Sequence, residues 1–418
     1  MSVIVAWVFA ILLLLSAPVA IALLGGAGVA LYVDGKPLAV IAQRLYTPTQ
    51  SFPMLAIPFF ILAGSLMMSG RFGVYLIHFA KLLVGRFRGG MGQVSILGSV
   101  MFGGVSGSAV ADASALGNAL IPVQKKEGYP PDFAAAINAS SSTVSLLIPP
   151  SIPLILYGLV TSTSIIDLFV AGIVPGVMLG AGLLAACWLS ARWRALPTSP
   201  AEGGFRAWGW DALKALPALA MPVFVIGTLR FGIATPTEVS VMAVAYALLV
   251  GGFVYRDLTL RTILNAMIQT AIMTGAVLLI IMASSVVQWI LTLERVPQRL
   301  ADWMVGSMSD NWMVILSMNA IMLVVGTVLD LPAAMLLLGP LFAGIGAAIG
   351  MDPVQLGLMM VINLAIGLYT PPVGTTLFIS ATIARTSIGS VVLALWPFYL
   401  VSIVVLALIS YFPAFTLY

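Results

Sequence analysis

The sequence predicts an all-α polytopic membrane protein, an inverted repeat carrying two re-entrant helical hairpins and two broken helices. Three observations lead there. Charged residues are too few to cover a soluble surface, the basic ones gather in short loops, and two Pro-Pro pairs interrupt apolar segments at matched positions. Of 418 residues, 18 are Lys or Arg and 14 are Asp or Glu, 8% in all, against 61% hydrophobic residues. The mean hydropathy is +1.12. Soluble domains carry about 25% charged residues, so a cytosolic enzyme, a nucleic-acid binder and a disordered scaffold are excluded. The net charge of +4 is spread thinly and forms no basic stripe, so nucleic acid is not a partner. The one cysteine, Cys187, forbids an intramolecular disulfide or a thiolate metal cage. The one histidine, His78, leaves little for a histidine-based metal site. At about 20 residues per spanning helix, the apolar length allows roughly a dozen crossings.

Residues 1–91 read as N-terminal scaffold helices and an amphipathic segment. The apolar run 2–33 has no basic n-region and exceeds an h-region of about 7–15 residues, so it reads as a first spanning helix. A signal sequence is the weaker reading, although Ala17-Pro-Val-Ala20 supplies small residues. Four basic clusters follow: Lys81, Arg86 and Arg88; Lys125 and Lys126; Arg192, Arg194, Arg206 and Lys214; Arg256 and Arg261. Short loops rich in Lys and Arg stay cytoplasmic, which puts all four on one side. Residues 92–122 lie between two of these clusters, so they enter the membrane and return as a first hairpin, centred on Gly103-Gly-Val-Ser-Gly-Ser-Ala-Val-Ala-Asp112. Non-helical backbone at that depth survives only where protein or water covers it. Residues 131–161 and 164–191 cross and come back, as do 215–230 and 236–255 around the turn Phe231–Thr237. Residues 264–293 lead to the opposite side, where 294–311 carries Glu294, Arg295, Arg299, Asp302 and Asp310, a net −1. A second hairpin, 312–350, then enters from that side and turns at Gly326-Thr-Val-Leu-Asp-Leu-Pro332.

The chain thus divides into scaffold (1–91), first hairpin and broken helix (92–163), central scaffold helices (164–311), second hairpin and broken helix (312–388), and a C-terminal scaffold helix (389–418). The first break is Pro149-Pro150 and the second Pro371-Pro372; each follows a Gly-x-x-Pro start, at Gly128 and Gly350, by 21 positions. Asn138 and Asn363 precede the two breaks at a looser spacing. A Pro-Pro pair removes two backbone donors and frees carbonyls upstream. In hydrocarbon those carbonyls need partners, and a bound cation is one. Inverted repeats with matched broken helices point to a secondary transporter with a midplane site; a single Pro break would read more readily as a structural kink. Aromatics and methionines take the plain reading: Trp193, Trp208 and Trp210 as an interfacial belt, the 21 Met as packing. Lys36 and Arg44, in the loop 34–50, are either solvated or a contact for a partner.

Several segments together resemble the large membrane subunit of the tripartite ATP-independent periplasmic (TRAP) transporters. They are Phe52-Pro-Met-Leu-Ala-Ile-Pro-Phe-Phe-Ile-Leu-Ala-Gly64, Val105-Ser-Gly-Ser-Ala109, Ile148-Pro-Pro-Ser-Ile-Pro153, Ala234-Thr-Pro-Thr-Glu238, Gly350-Met-Asp-Pro353 and the stretch Asn363 through Phe378. They span nearly the whole chain. The resemblance implies an elevator-type ion-transporter fold in the bacterial inner membrane, and uptake of a small organic acid driven by sodium. It also implies two partners, a small four-helix membrane (Q) subunit and a periplasmic substrate-binding (P) protein, with Na⁺ as coupling ion and no organic cofactor. Each Na⁺ gains about 2.3 kcal/mol per 100 mV of membrane potential.

Sodium needs hard oxygen ligands. Carbonyls beside Pro371 and Gly326, with the hydroxyls of Ser106, Ser108, Thr370 and Thr375, are the expected set. Ser140, Ser141, Ser142, Thr143 and Ser151 are the expected substrate zone, beside half-helix N-termini whose amides favour a carboxylate. Asp330 either caps the returning hairpin helix or binds the ion; Asp112 reads as structural. Around the first break the chain departs from its relatives, with Ser142, Ser145 and Leu146 where Gly, Gly and Pro are common. Two rivals remain. One is a self-sufficient sodium–dicarboxylate symporter of related fold. The other is an intramembrane protease, because Gly104-Val-Ser-Gly107 matches a serine-protease pattern; His78 lies on the wrong side of that serine, and Asp112 and Asp330 lack the Gly-x-Gly-Asp context of an aspartyl dyad.

Overall fold

In a computed structural model of the chain, residues 1–69, 71–196, 205–308 and 310–416 are described, the side chains of 205–212 and 305 excepted. Arg206, Trp208 and Trp210, assigned above to a basic cluster and an interfacial belt, therefore have side chains outside the described set. Among the described residues the fold is helical, with no strand.

Helices α1 (Ser2–Leu14) and α2 (Val19–Val33) correct the first expectation. The run 2–33 is not one spanning helix. Ser16 adopts a positive φ of 62° ahead of Pro18, and the chain turns back so that a Cβ on Gly26 would meet the Val5 carbonyl at 2.9 Å. Each piece is about 20 Å long at 1.5 Å per residue, too short for a hydrocarbon core of about 30 Å. Next come α3 (Ala39–Tyr46) and α4 (Ala56–Met68), with a 70° bend between the arms they belong to. Helix α5 (Phe72–Val84) buries Phe72, Leu76 and Ala80, one residue per turn. That spacing, one apolar residue per turn on a single face, fits the amphipathic segment expected there.

The first hairpin is α6 (Gly90–Ser106) and α7 (Ala109–Lys126). The broken helix after it is α8 (Pro131–Ser141), continued by a 3₁₀ turn at Ser142–Leu146, and then α9 (Ile152–Thr161). Helices α10 (Ile165–Trp193), α11 (Phe205–Arg230), α12 (Pro236–Leu249) and α13 (Leu260–Leu293) follow, then the short α14 (Val296–Ser307). A second pair, α15 (Asn311–Gly326) and α16 (Leu331–Ala348), leads into α17 (Pro353–Gly367), a break, and α18 (Thr375–Ala384). Helix α19 (Ile388–Tyr411) closes the bundle.

Among the described residues, six helices are long and apolar enough to cross a membrane, or seven with the bent pair 39–68 counted as one span. That is well short of a dozen. The difference has a physical cause: much of the apolar sequence is cut into half-length helices by the turn at Ser16–Pro18, by the hairpin turns and by the two Pro-Pro pairs.

Packing joins the two hairpin units. Helix α9 packs on α16 and α17 of the second unit, and α18 packs on α7 and α8 of the first. Tyr157 on α9 donates to the Pro353 carbonyl (2.8 Å), and Asn138 on α8 donates to Ser380 Oγ on α18 (2.8 Å). Where helices cannot draw on water exclusion between themselves, small residues let backbones approach. Gly172, Gly176 and Gly180 form such a stripe on α10; Cβ atoms there would meet the Leu147 carbonyl at 2.6 Å, Ile148 at 3.0 Å and Val100 at 2.8 Å. The stripe seats α10 against the first break.

Candidate functional site

Each hairpin tip meets the break that follows it in the chain. In the first unit α6 ends at Gly107 (φ +55°). Cβ atoms on Gly103 and Gly107 would lie 2.6 Å from Ser145 Cα and 2.5 Å from the Pro150 carbonyl. In the second, a Cβ on Gly367 would lie 2.8 Å from Gly326 Cα, and the Val373 amide donates to the Thr327 carbonyl (3.1 Å). Only glycine permits backbones this close. The Pro-Pro bonds at the two breaks, Pro149-Pro150 and Pro371-Pro372, are cis.

The two breaks are closed differently. Ser151 caps α9 by accepting from the Leu154 amide (3.4 Å) while its hydroxyl donates to the Leu146 carbonyl. Helix α18 starts instead at Gly374 (φ +50°) with no side-chain cap. That end is held by Thr376, whose hydroxyl donates to the Leu368 carbonyl (2.9 Å) and across to the Ala139 carbonyl of α8 (3.1 Å).

A cavity of about 10 Å³ opens between the second tip and its break, lined by Gly326, Thr327, Asp330, Gly367, Gly374 and Thr375 among others. That is room for one water-sized particle. Thr375 Oγ1 is buried there without a hydrogen-bond partner, an unusual state for a buried hydroxyl. Asp330 occupies the N-cap position of α16 without a side-chain capping hydrogen bond, and it lines the cavity. Thr370 stands apart, donating to the Ile366 carbonyl (2.7 Å), and Pro371 is exposed outside the cavity lining. Of the expected second-hairpin set, the structure brings Gly326, Asp330 and Thr375 together.

A second cavity, about 320 Å³, lies between the first tip and helices α4 and α13. Ser106 and Ser108 line it, with Ser65 on α4, Ser114 and Asn118 on α7, and Met273 on α13. The hydroxyls expected in the substrate zone lie away from both cavities. Ser140, Ser141, Ser142, Thr143 and Ser151 are at most 1% exposed and line neither cavity. Four of them turn inward onto their own helix, as Ser140 does to Ala136 (2.8 Å), Ser142 to Ala139 (3.0 Å) and Thr143 to Ser140 (2.7 Å), with Ser141 donating to Asn138 (3.5 Å). A hydroxyl donating to the i−3 or i−4 carbonyl bends a helix locally, which suits a segment about to break.

Sequence reading missed Ser65, Ser114 and Asn118. The last two were legible: Ala111, Ser114, Ala115 and Asn118 follow the 3, 4, 7 spacing of one helical face. Ser65 follows Gly64, at the end of a segment singled out above, where a Cβ would meet the Val105 carbonyl at 2.8 Å. Asp112 is fully buried; neither carboxylate oxygen has a partner at hydrogen-bonding distance, and Ser99 is the polar side chain beside it. The serine-protease pattern at 104–107 is the end of α6 and its turn at Gly107.

Four similarities to known proteins fit this architecture. A solved structure, that of the Alcanivorax borkumensis YdaH transporter, is similar in fold, with a TM-score of 0.65 over 90% of this chain and 89% of that one, at 15% identity. The uncharacterized protein y4mL of Sinorhizobium fredii is 49% identical over the full length of both chains. The C4-dicarboxylate TRAP transporter large permease protein DctM of Pseudomonas aeruginosa is 35% identical, over 94% of this chain and 92% of that one. The family described as the tripartite ATP-independent periplasmic transporter, DctM component, matches residues 6–415. With a match end to end and relatives that are permeases, not enzymes, this chain belongs to the DctM family of TRAP transporter large components.

Proposed function

We propose that the chain is the large permease of a sodium-driven carrier that takes up a small organic acid across the bacterial inner membrane. Its two hairpins re-enter the membrane from opposite sides as an inverted repeat. Together with the two broken helices they move as one body, elevator-fashion, against a scaffold of the remaining helices. A periplasmic binding protein delivers the solute, and a small four-helix membrane subunit completes the complex. Coupling ions occupy the second-hairpin cavity at Gly326, Asp330 and Thr375 and the first tip at Ser106 and Ser108. Thr370 and Pro371 shape the second break from outside the cavity, and the solute occupies the cavity beside α4.

The observation that carries this reading is the unpartnered Thr375 hydroxyl at a cavity the size of one ion. A cation held there would be coordinated by a neutral hydroxyl, nearby carbonyls and one carboxylate, the hard oxygen ligands that Na⁺ takes. The exchange of packing partners between the two units supports their moving as one body. In proteoliposomes holding the chain with its partner subunits, uptake should require Na⁺, and Thr375→Val should raise the half-saturating Na⁺ concentration about ten-fold or more. Uptake undiminished when K⁺ replaces Na⁺ would sink the coupling. An unchanged Na⁺ dependence in Thr375→Val would remove the second-hairpin site.

A further inference from the structure

We infer that the solute is a polyhydroxylated monocarboxylate, of the sugar-acid class, and not a dicarboxylate. The inference rests on the carrier reading above and concerns the cavity of about 320 Å³ at the first hairpin tip. Its polar lining consists of Ser65, Ser106, Ser108, Ser114 and Asn118. Among the described residues that line it there is no Lys, Arg or His.

The chemistry of that lining discriminates between acids. A dicarboxylate brings two negative charges, and a charge moved out of water without a partner is strongly disfavoured. The coupling ion proposed at Ser106 and Ser108 supplies one positive charge, which balances one carboxylate. No basic side chain in the lining balances a second, and the nearby α7 adds a buried acid, Asp112, in its first turn. Hydroxyls and an amide both donate and accept, which matches sugar hydroxyls. A site built from such groups rejects analogues that leave them unpaired.

The remaining walls are Ile61, Met68, Ala115, Ile152 and Met273 with their neighbours. They offer an apolar side for the C–H faces of a carbon chain. The volume lies at the small end of the roughly 300–1,000 Å³ of small-molecule sites, enough for a six-carbon acid.

Asn118 separates this reading from its rivals. It is exposed at the cavity, and its side chain bonds only within its own helix, to the Ser114 carbonyl (2.8 Å), so replacing it leaves the core intact. Purified full-length chain in detergent should gain thermal stability from D-gluconate in Na⁺ but not in K⁺, and little from succinate or from neutral sorbitol. Asn118→Leu should weaken the gluconate response at least ten-fold. Asn118→Arg, which adds the missing cation, should shift preference toward succinate. Stabilisation of the unaltered chain by succinate equal to or stronger than that by gluconate overturns the inference and leaves the carrier reading standing. Equal responses to gluconate and sorbitol overturn it by removing the carboxylate. A response to gluconate that is the same in Na⁺ and K⁺ upholds the solute class and counts against sodium coupling. No response to any of the three overturns the inference, and Na⁺-dependent uptake in proteoliposomes then judges the carrier reading by itself.

Discussion

Gly367 and Gly326 are where a single atom decides most. Their backbones touch at the second tip, and a Cβ on Gly367 would lie 2.8 Å from Gly326 Cα, a contact that backbone atoms cannot relieve by rotating. Gly367→Val should therefore lever the tip of α15 off the break and cost about 1–3 kcal/mol as an overpacked core. We expect a clear fall in thermal stability in detergent and loss of Na⁺-dependent uptake; normal behaviour of both would mean that the tip does not seat there. Such proximity was not legible in the sequence. Both glycines stood out, one in the turn 326–332 and one in the Asn363–Phe378 segment, but nothing in a linear pattern brings residues 41 positions apart into contact. Thr375 differs in kind: its residue type named it as a candidate ligand, while its missing hydrogen bond is a property of the folded chain alone.

At the scale of elements, the breaks were read correctly as breaks and incompletely as sites. Pro-Pro marks where a helix must stop, and both pairs do lie between helices. The role of the hydroxyls around the first pair turned on local hydrogen bonding, which composition does not report. Ser151 closes its break by capping α9 and bonding Leu146. Ser151→Ala should then destabilise the protein by about 1 kcal/mol, as a lost N-cap does, and leave the apparent KM for solute unchanged. A raised KM at unaltered stability would restore Ser151 to the substrate surface. The N-terminal run carries the same lesson in reverse. Its composition promised one crossing, and a turn at Ser16–Pro18 made two short helices, because hydropathy averages over a window and does not sense one residue with positive φ.

For the molecule as a whole, the contact between α4 and the first hairpin is the joint that an elevator motion would have to remake. Gly64 on α4 lies against Val105 and Ser106, so close that a Cβ would sit 2.8 Å from the Val105 carbonyl. Gly64→Val should hold that joint apart and lower uptake at least ten-fold. Its effect on thermal stability should be smaller than that of Gly367→Val, because the strain falls between the two proposed bodies and not inside one. A stability loss as large as that of Gly367→Val with transport intact would argue that α4 and the hairpin form one rigid unit.

The sequence by itself determined the class of protein and its family. Low charge, apolar length and the Pro-Pro pairs at 149–150 and 371–372 are properties of the chain that no folding can alter, and the family segments run along it in order. Only the tertiary structure decided which residues share a cavity. Burial and hydrogen bonding are set by neighbours distant in sequence, so five hydroxyls chosen by type turned into the core while Ser65, Ser114 and Asn118 came to line a cavity with Ser106 and Ser108. The count of charges was likewise fixed in advance. That none of the basic ones reaches that cavity, among the described residues, was settled by packing, and the choice between one carboxylate and two depends on it.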